Sequence, residues 1–252
     1  MNEVKMIKVL KEKLVGKTPR LYSFVSYVFQ AYLIKYFWLM FNKPTGVLVY
    51  VGLNTGESLS RICYRYKRCI GYEPNPVNFK ICQRRFKKYN NVELYHFAAS
   101  DSKGKVSLYL SDNGNNFASS SLLENTEASS IRASNIIRVK SINLGKHLNK
   151  IGAIQIDDYI SDIEGHDLVV LKTLIQYLEK KRIKSVTCEV IRNGKDNPFK
   201  LCKNYECDFD EFMPYHYKKI ASGWGRVKDG TFNNVPEEYK FMDVKWILLN
   251  KV

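Results

Sequence analysis

Two groups of residues in this chain have the types and spacing for chemistry. The first is Gly52-Leu53-Asn54-Thr55-Gly56, followed by a single acid at Glu73; the second is Asp162, Glu164, His166 and Asp167, with Glu189 further along. Glycines at Gly52 and Gly56 let backbone approach a ligand where a Cβ would clash, and a carboxylate such as Glu73 accepts hydrogens from a pair of hydroxyl groups. The second group combines carboxylates with an imidazole that titrates near neutrality, which is equipment for taking a proton from an attacking hydroxyl. Asp162 is the favoured acceptor-side carboxylate because it falls at a strand end, and His166 is the next candidate base. Asp162 and Glu164 equally suit capping of the helix that follows, where negative charge is favourable.

Elements must hold these residues in place. Val47 to Val51 reads as a buried strand, Glu57 to Arg68 as a helix, Ile70 to Glu73 as a strand, Val77 to Tyr89 as a helix and Val92 to Ala98 as a strand. That βαβαβ rhythm predicts a parallel sheet covered by helices. Val106 to Leu110 and Ile136 to Ile142 read as further strands around a polar stretch, 111 to 135, expected to be a long loop over the site. Tyr159 to Ile163 is the fourth main strand, Asp167 to Lys181 a helix, Ile183 to Ile191 a buried strand and Pro198 to Asn204 a short helix. Residues 212 to 221 and 242 to 249 supply final antiparallel strands.

A strand that delivers Gly52 into a tight turn, with Gly56 opening the next helix and Glu73 closing the next strand, is how an α/β sheet holds an adenosine-bearing cofactor. The turn lacks the three-glycine spacing of a dinucleotide fingerprint, which favours S-adenosylmethionine over a pyrophosphate ligand.

At this point the chain resembles the FkbM-type family of S-adenosylmethionine-dependent methyltransferases, over roughly residues 46 to 192. The resemblance is carried by Val51-Gly52-Leu53-Asn54-Thr55-Gly56, Gly71-Tyr72-Glu73-Pro74-Asn75, Ala98-Ala99-Ser100-Asp101 with Gly104, Ser119-Ser120-Ser121-Leu122 and Asp162-Ile163-Glu164-Gly165. It implies a Rossmann-like class I methyltransferase fold of the α/β class, with a mostly parallel seven-stranded sheet and flanking helices. It implies that Gly52 and Asn54 face the methionine part of S-adenosyl-L-methionine, Glu73 the ribose, and Ala99 with Asp101 the adenine. It also sets Asp162 and Glu164 on the rim of the catalytic pocket and points to sugar hydroxyls of glycans or small glycosides as acceptors. The chain departs from the family at Tyr50, where an acid is usual, and at Ile160, where a lysine often stands.

Composition bounds the rest. The 252 residues carry 40 Lys+Arg against 25 Asp+Glu, a net +15 that favours an anionic partner or surface. Between Arg61 and Lys88 nine basic residues face one acid and are interleaved with Tyr64, Tyr66, Phe79, Phe86 and Tyr89. That stretch suits two helices with solvated basic faces and aromatic core faces, and less well an RNA-facing patch. An RNA methyltransferase is the enzyme alternative, and a noncatalytic RNA- or membrane-binding module the alternative of a different class.

The six cysteines are spread in patterns that suit reduced, packed thiols, and with His96, His147, His166 and His216 they complete no zinc ligand set. Asp157, Asp158, Asp162 and Glu164 were the carboxylates to weigh for a divalent ion, and alternation along a strand points some of them apart, so no metal is expected. Trp224 in Ser222-Gly223-Trp224-Gly225 suits stacking on a sugar ring or packing in a turn. Residues 1–45 read as an N-terminal helical extension and 46–252 as the methyltransferase domain. Leu21 to Phe41 is rich in aromatic and aliphatic residues, but Gln30, Lys35 and two serines interrupt it, so packing against the domain or a partner is favoured over an interfacial helix with flanks Lys17, Arg20 and Lys43, and a bilayer span is least favoured. The N-terminus lacks the features of a secretory signal. The expected location is cytoplasmic, with peripheral membrane contact through residues 1–43 left open.

Overall fold

The computed structural model of the chain describes residues 35–36, 38–110, 120–123, 136–197, 203–223 and 241–249. By backbone contacts the chain separates into two units, Met1–Pro44 and Thr45–Val252. In the first, the described residues of 35–41 are helical, and the rest of the aromatic Leu21 to Phe41 segment lies outside the described residues. Among the described residues no helix is long and apolar enough to cross a membrane.

The second unit is built on a seven-stranded sheet. Its strands are β1 (Val47–Val51), β2 (Arg68–Tyr72), β3 (Val92–Tyr95), β7 (Ile156–Ser161), β8 (Ile183–Ile191), β9 (Tyr217–Gly223) and β10 (Phe241–Leu248). Their spatial order is β3-β2-β1-β7-β8-β10-β9, parallel except that β10 runs against both β8 and β9. Helices α1 (Glu57–Ile62) and α2 (Pro76–Phe86) connect β1 to β2 and β2 to β3, and α4 (Asp167–Lys172) with α5 (Ile175–Glu179) connects β7 to β8. α3 (Leu144–Lys150) precedes β7, and α6 (Glu206–Phe212) precedes β9.

Strand alternation distributes the core over both faces of the sheet. Leu48 and Tyr50 of β1 join Cys69, Ile160, Leu59, Cys82 and Phe86 in one apolar cluster, while Val49 and Val51 join Ile70, Tyr72, Tyr159 and Val186 in another. This is why the strand reads as a continuous apolar run rather than an alternating one: a parallel strand buried on both faces has no solvent side. Tyr50, which stands where the family resemblance expects an acid, is part of that core at 6% exposure.

A second, three-stranded sheet is formed by β4 (Ala98–Ser100), β5 (Gly104–Tyr109) and β6 (Ile136–Asn143) in the order β4-β6-β5. The stretch from Val92 to Ala98, read from sequence as one strand, is therefore two: β3 ends at Tyr95, and β4 pairs with β6 instead of the main sheet.

Other boundaries also differ. The expected helix over Asp167 to Lys181 breaks after Lys172, and at the break Gly145 of α3 packs so closely that a Cβ would lie 2.1 Å from the Thr173 carbonyl oxygen, while its N–H donates to Thr173 Oγ1 at 3.2 Å. α3 itself has no strong apolar period; it starts where Asn143 Oδ1 accepts the Lys146 N–H at 3.0 Å. The first helix is shorter than expected and continues as a single 3₁₀ turn, Cys63–Arg65. The proposed helix from Pro198 to Asn204 lies mostly outside the described residues; α6, which the sequence did not announce, buries Phe209 against Trp246 with ring centroids 5.6 Å apart.

Candidate functional site

The chain runs β1, β2, β3 outward on one side of the sheet and returns to place β7 on the other side of β1. Where strand order reverses, the loops at the carboxyl ends of β1 and β7 part and leave a crevice. The cleft found there is lined by Gly52 and Asn54 after β1, Tyr72, Glu73 and Pro74 at the end of β2, and Asp162, Ile163 and Glu164 after β7. The small sheet supplies Ala98, Ala99 and Leu108 to its apolar wall, and Phe97 and Leu122, beside the sheet, complete it. With the open solvent at its mouth included, the cleft measures about 540 Å³.

Gly52 sits at φ +83°, and a Cβ there would lie 1.9 Å from the Asp162 carbonyl oxygen. The first loop and the loop after β7 thus touch through backbone, which only glycine permits. Gly56, at φ +75°, does not line the cleft; a Cβ there would meet Phe86 Cε2 at 2.6 Å, so it seats α1 against α2.

The amides of the turn are committed inward. Gly52 and Leu53 donate to the Tyr72 carbonyl at 3.1 Å each, Gly56 donates to the Leu53 carbonyl at 2.8 Å, and Asn54 donates to Glu73 Oε2 at 2.7 Å. A diphosphate cradle needs such amides facing the ligand; here the polar contact offered to a ligand is the Glu73 carboxylate and nearby side chains.

Glu73 is 5% exposed and its Oε1 accepts the Asn75 N–H at 2.8 Å. Burial pushes its pKa up to about 7 against the opposing pull of the Asn75 and Asn54 amides. Asn78 is the cleft residue that sequence reading missed. Its Nδ2 donates to Asn54 Oδ1 at 2.9 Å, and its Oδ1 is buried without a hydrogen-bond partner. The signal was present: Asn78, Cys82 and Phe86 form the buried stripe of α2, where an amide among apolar residues is out of place.

On the opposite side, Asp162 and Glu164 line the cleft and His166 does not. His166 stands at the N-terminal cap of α4 with Nε2 3.2 Å from Ser100 Oγ, and burial lowers its pKa, which keeps it neutral. Asp101 is exposed and away from the cleft lining; its Oδ1 accepts from the same Ser100 hydroxyl at 3.2 Å. Ala99 lines the cleft wall.

Of the polar loop expected to sweep over the site, Ser120 to Leu123 is described and the remainder lies outside the described residues. Ser121 is anchored: it exchanges backbone hydrogen bonds with Tyr109 and donates its hydroxyl to the Glu164 carbonyl at 2.7 Å. Trp224 also lies outside the described residues.

The four acids weighed from sequence do not gather. Asp157 accepts the Val47 N–H and pairs with Lys184, and Asp158 accepts from Tyr66, both early in β7. Parallel pairing of Ser161 with Cys188 instead brings Glu189 beside Asp162, so that Asp162, Glu164 and Glu189 each present a carboxylate oxygen, all within 4.8 Å of one another. Burial, then repulsion from these neighbours, raises the pKa values of Glu164 and Glu189. Asp167, wholly buried behind them on the Ser161 hydroxyl, is pushed up to about 8 by burial first.

Residues 51–214 match the family model of the methyltransferase FkbM domain. The chain belongs to the FkbM methyltransferase family. S-adenosyl-L-methionine is therefore its cofactor, and the sheet is the Rossmann-like, class I methyltransferase arrangement that the sequence implied. Solved structures with this kind of fold include a methyltransferase FkbM from Methylobacillus flagellatus, 14% identical, covering 80% of this chain and 43% of that one with a TM-score of 0.48. An rRNA methylase from Streptococcus thermophilus is 8% identical over 86% of this chain and 95% of its own, with a TM-score of 0.47. A putative methyltransferase from Streptococcus mutans in complex with SAH is 11% identical over 86% and 96%, with a TM-score of 0.45. Among curated proteins, none matches this methyltransferase.

Proposed function

We propose that this FkbM-family methyltransferase methylates a hydroxyl oxygen of a sugar in a glycan or small glycoside. The observation that carries the reading is the composition of the cleft: Asp162 and Glu164 face it, and among the described residues that line it none is basic. A polyol offers several hydroxyl hydrogens to such a lining, whereas the phosphates of RNA would find no cationic side chain there.

The residues present fit the cofactor. Glu73 is placed to accept both ribose hydroxyl hydrogens, Gly52 leaves room for close approach, Asn78 offers a buried acceptor, and Phe97, Leu108 and Leu122 offer an apolar wall for adenine. S-adenosyl-L-methionine supplies a methyl group on a sulfonium sulfur, whose C–S bond breaks as the acceptor oxygen forms its bond to the methyl carbon, the electron pair staying on sulfur. The chain's part is to align the acceptor oxygen behind that carbon and to receive the hydroxyl proton, which Asp162 does in this reading. Orientation can contribute several kcal/mol, on the order of 7 or more for well-held partners, and a placed base about 10²-fold. His166, neutral and hydrogen-bonded to Ser100, supports the loop that carries Asp162 and Glu164 and does not touch the acceptor. The reaction takes place in the cytoplasm in this reading.

The test is transfer of labelled methyl from S-adenosyl-L-methionine to separated glycans, small glycosides and RNA. Label in a sugar, removed with the O-methyl group, supports the reading. Label only in RNA, with affinity falling steeply as salt rises, would replace it by the RNA methyltransferase alternative.

A further inference from the structure

We propose that Asp162, Glu164 and Glu189 form a site for a hard divalent cation at the acceptor side of the methyl-donor cleft. Three carboxylate oxygens on two adjacent strand ends lie within 4.8 Å of one another. An octahedral ion with oxygens at about 2.1 Å spaces its ligands roughly 3 to 4 Å apart, so small side-chain rotations complete the geometry, and all-oxygen ligation selects magnesium, manganese or calcium over zinc.

A cluster of acids is common without an ion, and Glu189 supplies the independent reason to place one here. The residue is of intermediate exposure, but its Oε2 is shut off from solvent and has no hydrogen-bond partner. It emerges from the middle of the sheet, where its cross-strand neighbour on β10 is another acid, Asp243. A buried carboxylate without a hydrogen bond is rare in a native fold and calls for a ligand or counter-ion at that oxygen. Glu164 is held toward the same point in a left-handed conformation, φ +55°, by the Ser121 hydroxyl on its carbonyl oxygen. The cation lies between these three oxygens with its remaining positions toward the cleft. There it takes the acceptor hydroxyl oxygen, fixing its direction and making its proton more acidic. The cation site stands on the carboxylates alone; only the identity of the oxygen at the open position rests on the sugar-hydroxyl reading.

The full chain, stripped with EDTA, is titrated with MnCl₂ while free Mn²⁺ is followed by electron paramagnetic resonance, with MgCl₂ as competitor. The expected result is saturable uptake of one Mn²⁺ per chain, displaced by Mg²⁺. Glu189→Gln and Glu164→Gln each weaken it at least tenfold, and Asp158→Asn leaves it unchanged. Circular dichroism establishes that each variant is folded, and two variants guard against one failing to fold. The proposal is overturned by absence of saturable uptake in the unsubstituted chain, or by uptake that folded Glu189→Gln and Glu164→Gln retain in full. Calorimetry with S-adenosylhomocysteine, run without metal, reads the donor cleft separately, so failure of either site is distinguishable from failure of the other.

Discussion

Glu73 Oε2 accepts the Asn54 N–H at 2.7 Å, joining the end of β2 to the turn after β1 across 19 positions of sequence. The bond holds Asn54 in its left-handed conformation, φ +51°, and in the proposed reading the same acid also accepts the ribose hydroxyls of the donor. Replacing Glu73 by Ala removes the proposed ribose partner and leaves the Asn54 and Asn75 amides without their acceptor. S-adenosylhomocysteine affinity measured by calorimetry should fall by about 10- to 100-fold, the worth of hydrogen bonds to a charged group. An unchanged affinity would remove Glu73 from the donor site.

Donor affinity should rise with pH. With its pKa pushed up to about 7 by burial, Glu73 holds a proton in the free protein at pH 6, and the ribose hydroxyls need the ionised form as acceptor. Affinity for S-adenosylhomocysteine should be about tenfold weaker at pH 6 than at pH 8, and a Glu73→Gln variant should show a flat profile. The neighbouring Cys82 thiol, pushed up to about 12 by burial first, stays neutral throughout.

The same shift acts on stability. Below its ordinary value Glu73 is protonated in both states; between pH 4.5 and 7 the fold keeps a proton that the unfolded chain has released, so stability drops through that window and levels above it. The loss is about 3 kcal/mol at most. Denaturant titrations of the unsubstituted chain and Glu73→Gln should therefore diverge from pH 5 to pH 8 in favour of the variant.

Gly52 and Gly152 share a positive φ, +83° and +71°, and differ in space: a Cβ at Gly52 meets the Asp162 carbonyl oxygen at 1.9 Å, and one at Gly152 meets nothing within 4 Å. Gly152→Ala should cost only the left-handed penalty, about 1–2 kcal/mol. Gly52→Ala must also push the β7 loop away, and should show a larger fall in thermal midpoint together with loss of donor binding by calorimetry.

Asp162→Asn keeps the shape of the loop and removes the acceptor-side carboxylate. Turnover with a glycoside acceptor should fall by about 10²-fold while S-adenosylhomocysteine affinity changes little. Equal turnover would take Asp162 out of the chemistry.

The cleft residues that follow β1 and β2 were legible because their determinants are local. Val47 to Val51 is apolar throughout, Gly52 ends it, and Glu73 ends the next strand, so each residue's place follows from its immediate neighbours. Ala99 was named from the resemblance and lines the cleft, while Asp101, named with it, turns to Ser100 and solvent. Asn78 escaped notice because a helical asparagine reads as surface until its stripe-mates Cys82 and Phe86 are seen to be buried.

The acceptor half was legible only in part. Asp157, Asp158, Asp162 and Glu164 are close in sequence, yet rise along a strand carries Asp157 and Asp158 toward its far end, to Val47, Tyr66 and Lys184. The sequence groups Glu189 with Asp162, Glu164, His166 and Asp167 as available acids and bases, and the structure keeps it with Asp162 and Glu164 while His166 turns to Ser100.

By itself the amino-acid sequence determined the opening βαβαβ rhythm, the glycine turn with its acid, and the family, because periodicity, turn chemistry and short motifs depend on residues near one another in the chain; the split of Val92 to Ala98 between two sheets and the helices α3 and α6 were not legible in it. Tertiary structure alone decided which acids share a pocket. The parallel register that sets Ser161 against Cys188 brings Glu189 to Asp162 and Glu164, and a register between distant strands is chosen by how two buried faces pack, which no local pattern states.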